Sequence, residues 1–367
     1  MLVDLIAGAR PNFMKIAPLI DAIHDAQNKG KEIQYRLIHT GQHYDKNMSD
    51  NFFEQLGIPK PHHNLGAGGG SQAEQTASIM IGYEKLLINN RSDLCLVVGD
   101  VTSTMACAIT AQKMHVKVAH VEAGIRSGDW TMPEEINRMV TDSITNYFFT
   151  TSEIANKNLL NLGIGEDCIY FVGNTMIDTL LKNRPRFQAP SIWHELGLRE
   201  KGFIVMTLHR PANVDEEIKF RSLLNEILIN THKMPIIFPV HPRTAKIINI
   251  VLKNEAAIDT SHLHMVEPLG YLEFNYLVER AKAVITDSGG ITEETTVLGV
   301  PCMTLRDNTE RPETISIGTN ELLGTSPDAI KPAMKLLFSG KWKKGNVPEL
   351  WDGMSAKRIV KHLLLFK

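Results

Sequence analysis

The chain has 367 residues, 43% of them hydrophobic and 22% charged, and its formal net charge is −2. This length suits two domains, and without a basic excess nucleic acid is not an expected partner. The four cysteines (Cys95, Cys107, Cys168 and Cys302) form no CxxC pair, so neither a disulfide framework nor a zinc site is indicated. The opening "MLVDLIAGARP" predicts a strand rather than a signal peptide, and no stretch is apolar enough to span a membrane. We therefore predict a cytoplasmic protein without a membrane partner.

Short apolar runs alternate with amphipathic stretches in the first half of the chain. Val3–Ala7 predicts a strand, and the helical spacing of apolar residues over 12–26 predicts a helix. Further strands are predicted at "YRLIHT", "LCLVVGD", "VKVAHVE" and "NYFFTT", each followed by a helical segment. This alternation is typical of a parallel sheet covered by helices.

The same alternation returns in the second half, with strands predicted at "FIVMTLHR", "PIIFPVHP", "LHMVEPL", "AVITDSGG" and "VPCMTL". The sequence therefore predicts an α/β protein with two Rossmann-like domains. We place them at residues 1–172 and 201–350, joined by a connecting segment at 173–200. Residues 351–367 contain a predicted C-terminal helix that could pack against either domain.

Charged residues, histidines or glycines follow most predicted strands. The ends concerned are Gly8-Ala9-Arg10-Pro11, Gly99-Asp100, Glu122-Ala123-Gly124, His209-Arg210, His241-Pro242-Arg243 and Ser288-Gly289-Gly290. Open α/β sheets bind ligands beyond the carboxyl ends of their strands. Two such edges facing each other predict a central cleft that binds a ligand of nucleotide size.

The motifs that the sequence lacks exclude several classes of ligand. The first strand leads into "AGARPNFMK", which lacks the dinucleotide fingerprint GxGxxG, and no GxxxxGK[ST] motif is present. The histidines have no HExxH or HxH spacing, so no metal site is predicted. "GAGGGS" at 66–71 is interpreted as a loop, because prolines and two histidines precede it instead of a predicted strand.

The remaining cations suit a diphosphate. They are Arg10 at a strand end, Lys15 one turn into the next helix, and Arg306 and Arg311 in "LRDNTERPE". The turn Ser288-Gly289-Gly290 opens a predicted helix, whose free N–H groups favour an anion. Glu294 could then accept hydrogen bonds from ribose hydroxyls. The alternative is an ordinary helix start, with Ser288 as N-cap and Glu293 and Glu294 as early acids.

A second cluster consists of groups that can transfer protons, namely Asp100, Glu122, Glu134, Glu135 and His209. A catalytic role would require acids whose pKa values burial and mutual repulsion shift. In the structural alternative, Asp100 caps the helix beginning near Thr102, Glu122 pairs with Arg126, and Glu134 is a first-turn acid. Arg138 is another cation available to these carboxylates.

Eight stretches in the right order carry a specific resemblance: "GARPNFMK", "TGQHYD", "VGDVTST", "HVEAGIRSGD", "PEEINR", "GNTMIDTL", "DSGGITEE" and "RDNTERPE". Together they resemble the UDP-N-acetylglucosamine 2-epimerase family from residue 3 to about 340. The resemblance implies a GT-B type fold and a catalytic group of Asp100, Glu122, Glu134 and His209. It also implies substrate or UDP contacts by Arg10, Lys15, Arg138, His241, Leu269, Phe274, Ser288, Gly289, Gly290, Glu294 and Arg311.

The implied reaction interconverts UDP-GlcNAc and UDP-ManNAc without a cofactor, through elimination of UDP to 2-acetamidoglucal and re-addition. The resemblance further implies a homodimer and a role in cell-surface polysaccharide precursor synthesis. Three stretches depart from the family pattern: "GARPN" replaces "GTRPE", "HRPAN" replaces "HRRE", and "QHYDKNM" differs from the "QHR" of members activated by their own substrate. Three alternatives therefore stay open: a related UDP-sugar of the 2,3-diacetamido-glucuronate type, a hydrolysing 2-epimerase, and a GT-B glycosyltransferase.

Overall fold

The computed structural model describes residues 1–41, 55–214, 216–240, 245, 248 and 259–366. For Arg10, Pro211 and Ala212 it describes the backbone alone. The stretches "QHYD", at 42–45, and His241-Pro242-Arg243 therefore lie outside the described residues.

Thirteen strands occur within the described residues. They are β1 (Leu2–Ala7), β2 (Gln34–His39), β3 (His63–Asn64), β4 (Leu94–Val98), β5 (Lys117–Val121), β6 (Tyr147–Thr150), β7 (Ile169–Phe171), β8 (Ile204–Thr207), β9 (Ile236–Pro239), β10 (Leu263–Val266), β11 (Ala283–Thr286), β12 (Cys302–Thr304) and β13 (Asn320–Leu322).

Fourteen α-helices are described in the same part of the chain. They are α1 (Arg10–Asn28), α2 (Gln72–Asn89), α3 (Thr102–Lys113), α4 (Pro133–Ile144), α5 (Glu153–Asn161), α6 (Thr175–Asn183), α7 (Ser191–Glu195), α8 (Pro211–Val214), α9 (Glu217–Asn230), α10 (Tyr271–Arg280), α11 (Gly289–Leu298), α12 (Pro312–Ser316), α13 (Ile330–Phe338) and α14 (Ser355–Leu363). Short 3₁₀ turns occupy Glu166–Cys168, Arg184–Arg186 and Pro327–Ala329.

The chain divides into two compact units, one formed by Met1–Lys182 with Glu349–Lys367 and the other by Asn183–Pro348. The segment predicted as a connection, 173–200, is thus shared between the units, and α6 belongs to the first except for its last residue, Asn183. The assignment of independent domains stays a prediction.

The first unit contains a sheet in the order β3-β2-β1-β4-β5-β6-β7, and every described pair is parallel. This is the Rossmann order, in which the crevice between β1 and β4 is the expected ligand position. One buried polar residue interrupts the apolar β1: Asp4 is fully buried and accepts hydrogen bonds from Arg36, Tyr83 and Ser92. A buried carboxylate is tolerated there because charged and polar donors replace its hydration.

The second unit has a sheet in the order β10-β9-β8-β11-β12-β13, again with parallel pairs. Neighbouring residues of β8 lie in different core clusters, because successive side chains of a strand point to opposite faces. Met206 belongs to one core cluster together with Phe220 of α9, and Val205 belongs to another together with Leu277 of α10. Helices therefore cover both faces, and the predicted α/β fold class is confirmed.

Each of the ten apolar runs predicted as strands contains all or most of a strand, in most cases two to four residues shorter than the quoted stretch. β3, β7 and β13 were not predicted, since two or three residues are too few to show a period. β3 also corrects the interpretation of "GAGGGS": the loop does follow a strand and leads into α2, whose N-cap Ser71 accepts a hydrogen bond from Glu74 N.

The C-terminal helix α14 belongs to the first unit and packs against α1. The sequence had left open which of the two predicted domains this helix packs against. Two buried hydrogen bonds join Asp178 of α6 to the N–H groups of Ser355 and Ala356, at 3.1 and 2.7 Å. Gly173 lies so close to this segment that a Cβ would meet Leu350 O at 2.1 Å. No helix among the described residues is long and apolar enough to cross a membrane.

Candidate active site

Lys15 and Glu122 form an ion pair at the carboxyl edge of the first sheet. The distance from Lys15 Nζ to Glu122 Oε2 is 2.5 Å, and the two side chains are 12% and 3% exposed. Lys15 comes from α1, the helix after β1, and Glu122 follows β5. The structure therefore pairs Glu122 with Lys15 and not with Arg126, and the proposed structural partner for Glu122 was wrong.

The backbone at Glu122 is left-handed, with φ of 71°, a conformation that non-glycine residues seldom adopt. Such strain persists only where the surrounding structure enforces it, and it clusters at functional sites. Gly99, at the end of β4, also has a positive φ, and a Cβ there would lie 3.0 Å from Lys15 Nζ. Glycine at this position leaves room for the ion pair.

Asp100 is bound by Arg138, with 2.5 Å between Oδ2 and NH2. The N-cap position of α3 is occupied by Val101 without a side-chain cap, so the suggestion that Asp100 caps this helix was wrong. The same guanidinium contacts Glu135 through NH1 at 2.7 Å. Arg138 of α4 thus joins two carboxylates, one of which, Asp100, is 28% exposed.

Glu134 and Glu135, the adjacent acids of α4, differ in burial and in hydrogen-bond partners. Glu135 is buried and accepts hydrogen bonds from Ser127 N, Ser127 Oγ and Gly128 N. Burial alone would raise its pKa, but these donors and Arg138 together lower it, so Glu135 stays ionised and holds the loop. Glu134 is half-buried and has no hydrogen bond or ion pair to another described residue. Of these two acids, only Glu134 has a carboxylate without a partner among the described residues.

A buried network lies beneath this edge. His120 contacts Asp142 through Nδ1 at 2.7 Å and the Gly99 carbonyl through Nε2 at 2.8 Å. Asp142 also binds Arg126 and accepts a hydrogen bond from Gly124 N. Burial opposes ionisation, yet His120 and Arg126 lower the Asp142 pKa. The network connects the turns on both sides of Glu122.

The second sheet presents the turn after β11. Ser288 occupies the N-cap position of α11, as the ordinary N-cap interpretation expects, but its side chain makes no cap hydrogen bond, and Gly289 and Gly290 open the helix. No acid lies in the first turn of this helix. Arg306 is close to the turn, since a Cβ on Gly289 would lie 3.8 Å from its NH1 atom. The helix start has the features of an anion site: free N–H groups and a nearby cation.

The two glutamates of α11 have different partners. Glu293 forms an ion pair with Arg311, and both side chains are at least nine-tenths buried. Glu294 accepts a hydrogen bond from Tyr271 OH at 2.9 Å. Burial raises the Glu294 pKa, and Glu293 adds to this, so that it reaches about 7 although Tyr271 opposes the change. Arg311, expected on UDP, is thus held by a carboxylate.

His209 follows β8 and is joined to Asp287, the residue after β11. Nδ1 of the imidazole lies 2.8 Å from Asp287 Oδ1, with the histidine side chain 64% exposed and the aspartate fully buried. β8 and β11 are neighbours, and Thr207 is in register with Thr286. This adjacency brings the two residues together.

Leu269 and Phe274 are half-buried and pack against the apolar core of the second unit. Arg306 binds Glu310 through both terminal nitrogens, at 2.7 and 2.8 Å. His241 and the Arg10 side chain lie outside the described residues. Among those that are described, no group of three or more histidines, cysteines or acids could hold a metal ion.

Sequence reasoning missed four residues that contact these groups: His120, Asp142, Tyr271 and Asp287. One signal was available, because Asp287 stands directly beside the Ser-Gly-Gly turn at the end of a predicted strand. The other three contact residues that are distant from them in the chain. Nothing local in the sequence reveals such pairings.

The chain is similar in sequence and in fold to several known proteins. A family model described as UDP-N-acetylglucosamine 2-epimerase matches residues 25–364. The UDP-N-acetylglucosamine 2-epimerase of Methanocaldococcus jannaschii is 39% identical, over 99% of each chain. The UDP-2,3-diacetamido-2,3-dideoxy-D-glucuronate 2-epimerase of Pseudomonas aeruginosa is 38% identical, also over 99% of each. The crystal structure of the M. jannaschii UDP-GlcNAc 2-epimerase in complex with UDP-GlcNAc and UDP aligns with a TM-score of 0.86, at 39% identity and 100% coverage of both chains.

Two Rossmann-like sheets with acids, cations and glycine turns at their carboxyl edges define an enzyme of the sugar-nucleotide epimerase class. The chain belongs to the UDP-N-acetylglucosamine 2-epimerase family. Its structural neighbours have the GT-B-like fold that the resemblance implied.

Proposed function

We propose that the chain interconverts UDP-GlcNAc and UDP-ManNAc by inverting C2 of the sugar. The observation that carries the proposal is the Lys15–Glu122 ion pair, built on a glutamate with a left-handed backbone at a sheet edge. A buried acid held in a strained conformation beside a cation suits proton transfer next to a phosphorylated substrate. The M. jannaschii relative bound to UDP-GlcNAc and UDP supports the same substrate class.

The chemistry explains why acids and cations are both needed. C2 has no adjacent carbonyl, so its proton is too weakly acidic for direct removal. In the elimination the C1–O bond breaks and its electrons go to the β-phosphate oxygen. The C2–H electrons form a C1=C2 double bond, and the proton passes to a base of the enzyme. Re-addition of UDP and delivery of a proton to the other face of C2 complete the inversion.

The proton-transfer groups in this proposal are Asp100, Glu122, Glu134 and His209. Two faces of C2 must be served, which requires more than one such group. Glu122 and Glu134 differ in setting, one ion-paired with Lys15 and the other half-buried without a described partner. The two carboxylates therefore differ in their surroundings, as two groups that serve opposite faces of C2 would.

UDP is proposed to bind at the edge of the second sheet. The start of α11 at Gly289 and Gly290 would receive phosphate, aided by Arg306, and Glu294 would accept ribose hydroxyls. Leu269 and Phe274, both half-buried, would contact the uracil. Arg10, Lys15, Arg138, His241, Ser288 and Arg311 complete the proposed set, and the cations among them would stabilise charge growing on the departing phosphate.

A second candidate substrate is a UDP-2,3-diacetamido-glucuronate, because the P. aeruginosa relative named for it is nearly as similar as the M. jannaschii epimerase. Both sugars carry a 2-acetamido group, so the same elimination would apply. They differ at C3 and C6, and neither of these carbons carries a bond that breaks.

Incubation with each nucleotide sugar in deuterated water, followed by proton NMR, tests the proposal. Epimerisation of UDP-GlcNAc introduces deuterium at C2 and yields the manno nucleotide sugar. Exchange with the diacetamido-glucuronate alone would transfer the assignment to that substrate. Release of free N-acetylmannosamine would identify a hydrolysing enzyme, and no exchange with either would reject the proposal.

The resemblance also suggests a cytoplasmic homodimer that supplies precursors for a cell-surface polysaccharide. Light scattering during size-exclusion chromatography would measure the mass against 41.0 kDa for one chain. A single-chain mass at micromolar concentration would reject the dimer.

A further inference from the structure

Asp287 is a fully buried carboxylate between two neighbouring strand ends. It accepts hydrogen bonds from His209 N at 3.0 Å, from Arg210 N at 2.9 Å and from Asn213 Nδ2 at 3.1 Å. Its other oxygen lies 2.8 Å from His209 Nδ1. Two donors on the turn after β8 and one on α8 thus surround one acid, with the imidazole as a fourth.

The protonation state of Asp287 follows from this environment. Burial disfavours its charged form, but the His209 interaction and the surrounding donors outweigh burial and lower its pKa. An ionised carboxylate only accepts hydrogen bonds. The nitrogen of His209 that faces it must therefore carry a proton.

The proton on Nδ1 determines the state of Nε2, the other ring nitrogen of His209. With the proton on Nδ1 directed to Asp287, the neutral imidazole has its lone pair on Nε2. The side chain is 64% exposed, and no described residue binds Nε2. Nε2 is thus the nitrogen able to exchange a proton with a bound molecule.

We propose that Asp287 is a positioning residue that holds His209 as the Nδ1–H tautomer and directs Nε2 toward the substrate. The proposal rests on the proposed epimerase function, in which His209 transfers a proton. In one direction of the reaction Nε2 takes the proton that C2 loses, a group on the opposite face gives a proton to C2 in the re-addition, and both groups exchange protons with solvent before the next turnover. No oxidant, reductant or additional reactant is involved.

A purely structural role for Asp287 is the competing explanation. Its bonds to two backbone N–H groups and to Asn213 would then fix the turn, and the contact with the imidazole would be incidental. The two explanations differ in what Asp287→Asn does. An asparagine amide keeps the size and one acceptor oxygen, but an NH₂ group facing Nδ1 would stabilise the opposite tautomer.

The experiment combines kinetics with histidine NMR on the full-length enzyme. Two-dimensional proton–nitrogen spectra of ¹⁵N-histidine-labelled protein report which ring nitrogen is protonated, and His209→Gln identifies the signal. Wild-type His209 should be protonated at Nδ1, and Asp287→Asn should shift the proton to Nε2. The kcat for C2 exchange should fall a hundredfold or more with KM changed less than threefold, as loss of an orienting carboxylate does in hydrolytic triads.

Asp307→Asn is the matched control. Asp307 follows β12 at the same sheet edge and accepts a hydrogen bond from the Thr325 N–H at 3.1 Å, but it is exposed and no described histidine contacts it. This variant should keep wild-type kcat and leave the His209 spectrum unchanged.

Several results would overturn the proposal. Wild-type His209 protonated at Nε2 alone would do so without the Asp287→Asn variant, which covers the case that this variant fails to fold. A folded Asp287→Asn enzyme with the wild-type tautomer, or with unchanged kcat, would also do so. If wild-type enzyme exchanges no sugar C2 proton, the proposed function fails, while the tautomer measurement still decides whether Asp287 orients His209.

Discussion

Two neighbouring acids on α4 show how side-chain partners divide structural from chemical roles. Glu135 is bound by three donors of the loop at Ser127 and Gly128 and by Arg138. Glu134 has no described partner. Their sequence context is nearly the same, so substitution of each by glutamine makes a matched pair.

We predict that Glu135→Gln lowers the free energy of unfolding by about 1.5–3 kcal/mol, the worth of hydrogen bonds to a charged group. Glu134→Gln should change stability by less than about 0.5 kcal/mol, yet slow C2 exchange about a hundredfold or more. Urea unfolding and deuterium incorporation measure the two effects. Equal stability losses, or a fully active Glu134→Gln enzyme, would contradict this division of roles.

Glu294 leads to a prediction about pH. Its pKa of about 7 lies above the usual value of 4.5, so the folded chain binds this proton more strongly than the unfolded chain does. The resulting stability is fully present below pH 4.5 and is lost as the pH rises through about 7. Ribose hydroxyls would favour the ionised form, since a carboxylate is the stronger acceptor.

UDP-GlcNAc should therefore bind more tightly as the pH rises from 6 to 8, with release of a proton. Calorimetry in buffers of different ionisation enthalpy would count that proton, using the Glu122→Gln enzyme to suppress turnover. Glu294→Gln should bind more weakly and lose the pH dependence. Persistence of the same pH dependence in Glu294→Gln would assign the proton to another group.

At the scale of elements, "GNTMIDTL" now has a structural explanation. Gly173 permits the close approach of Leu350, and Asp178 binds the first N–H groups of α14. Trp351 donates a buried hydrogen bond to Thr151 O at 3.0 Å in the same region. This stretch of the family pattern therefore docks the returning C-terminal segment on the first unit.

We expect Asp178→Ala to lower the free energy of unfolding by about 1–3 kcal/mol, because two buried N–H groups would lose their acceptor. Asp352→Asn is the control: this acid binds Arg358 at the surface, where an ion pair contributes about 0–1 kcal/mol. Thermal or urea unfolding gives both values. A loss for Asp352→Asn as large as that for Asp178→Ala would contradict the importance of burial.

At the scale of the whole molecule, the two sheets have the same strand order apart from the additional β7 of the first, and different side chains lie at their carboxyl edges. Carboxylates dominate the first edge, while the second has a glycine-opened helix and arginines. We propose that the first performs proton transfer and the second binds UDP. Hydrogen exchange can examine the two edges separately.

Uridine monophosphate should slow amide exchange at residues 287–294 in the second unit and leave residues 99–103 and 120–126 of the first unit unchanged. UDP-GlcNAc should slow exchange in all three segments, because only the complete substrate includes the sugar. Mass spectrometry of peptic fragments would measure this. Protection of the first unit alone by uridine monophosphate would reverse the assignment.

Much of the fold was readable from the sequence. Apolar runs of four to six residues mark buried parallel strands by themselves, so the strands, the α/β class and the polar residues at strand ends followed directly. The shortest strands escaped, since β3 has two residues and β7 and β13 have three. Asp100 and Glu122 also followed, because they stand within two residues of a strand end, whereas Glu134 lies in α4.

The tertiary structure decided which partner each acid has. Glu122 is separated from Lys15 by 107 positions, and Asp287 lies 77 positions from Arg210. Such pairs form because strands distant in the chain become neighbours in a sheet, and nothing in a local stretch specifies the neighbour. The sequence by itself determined the strands, the helices and the chemical groups at their ends. Only the folded sheets, by bringing those ends within hydrogen-bond distance, separated Glu134 from Glu135 and joined His209 to Asp287.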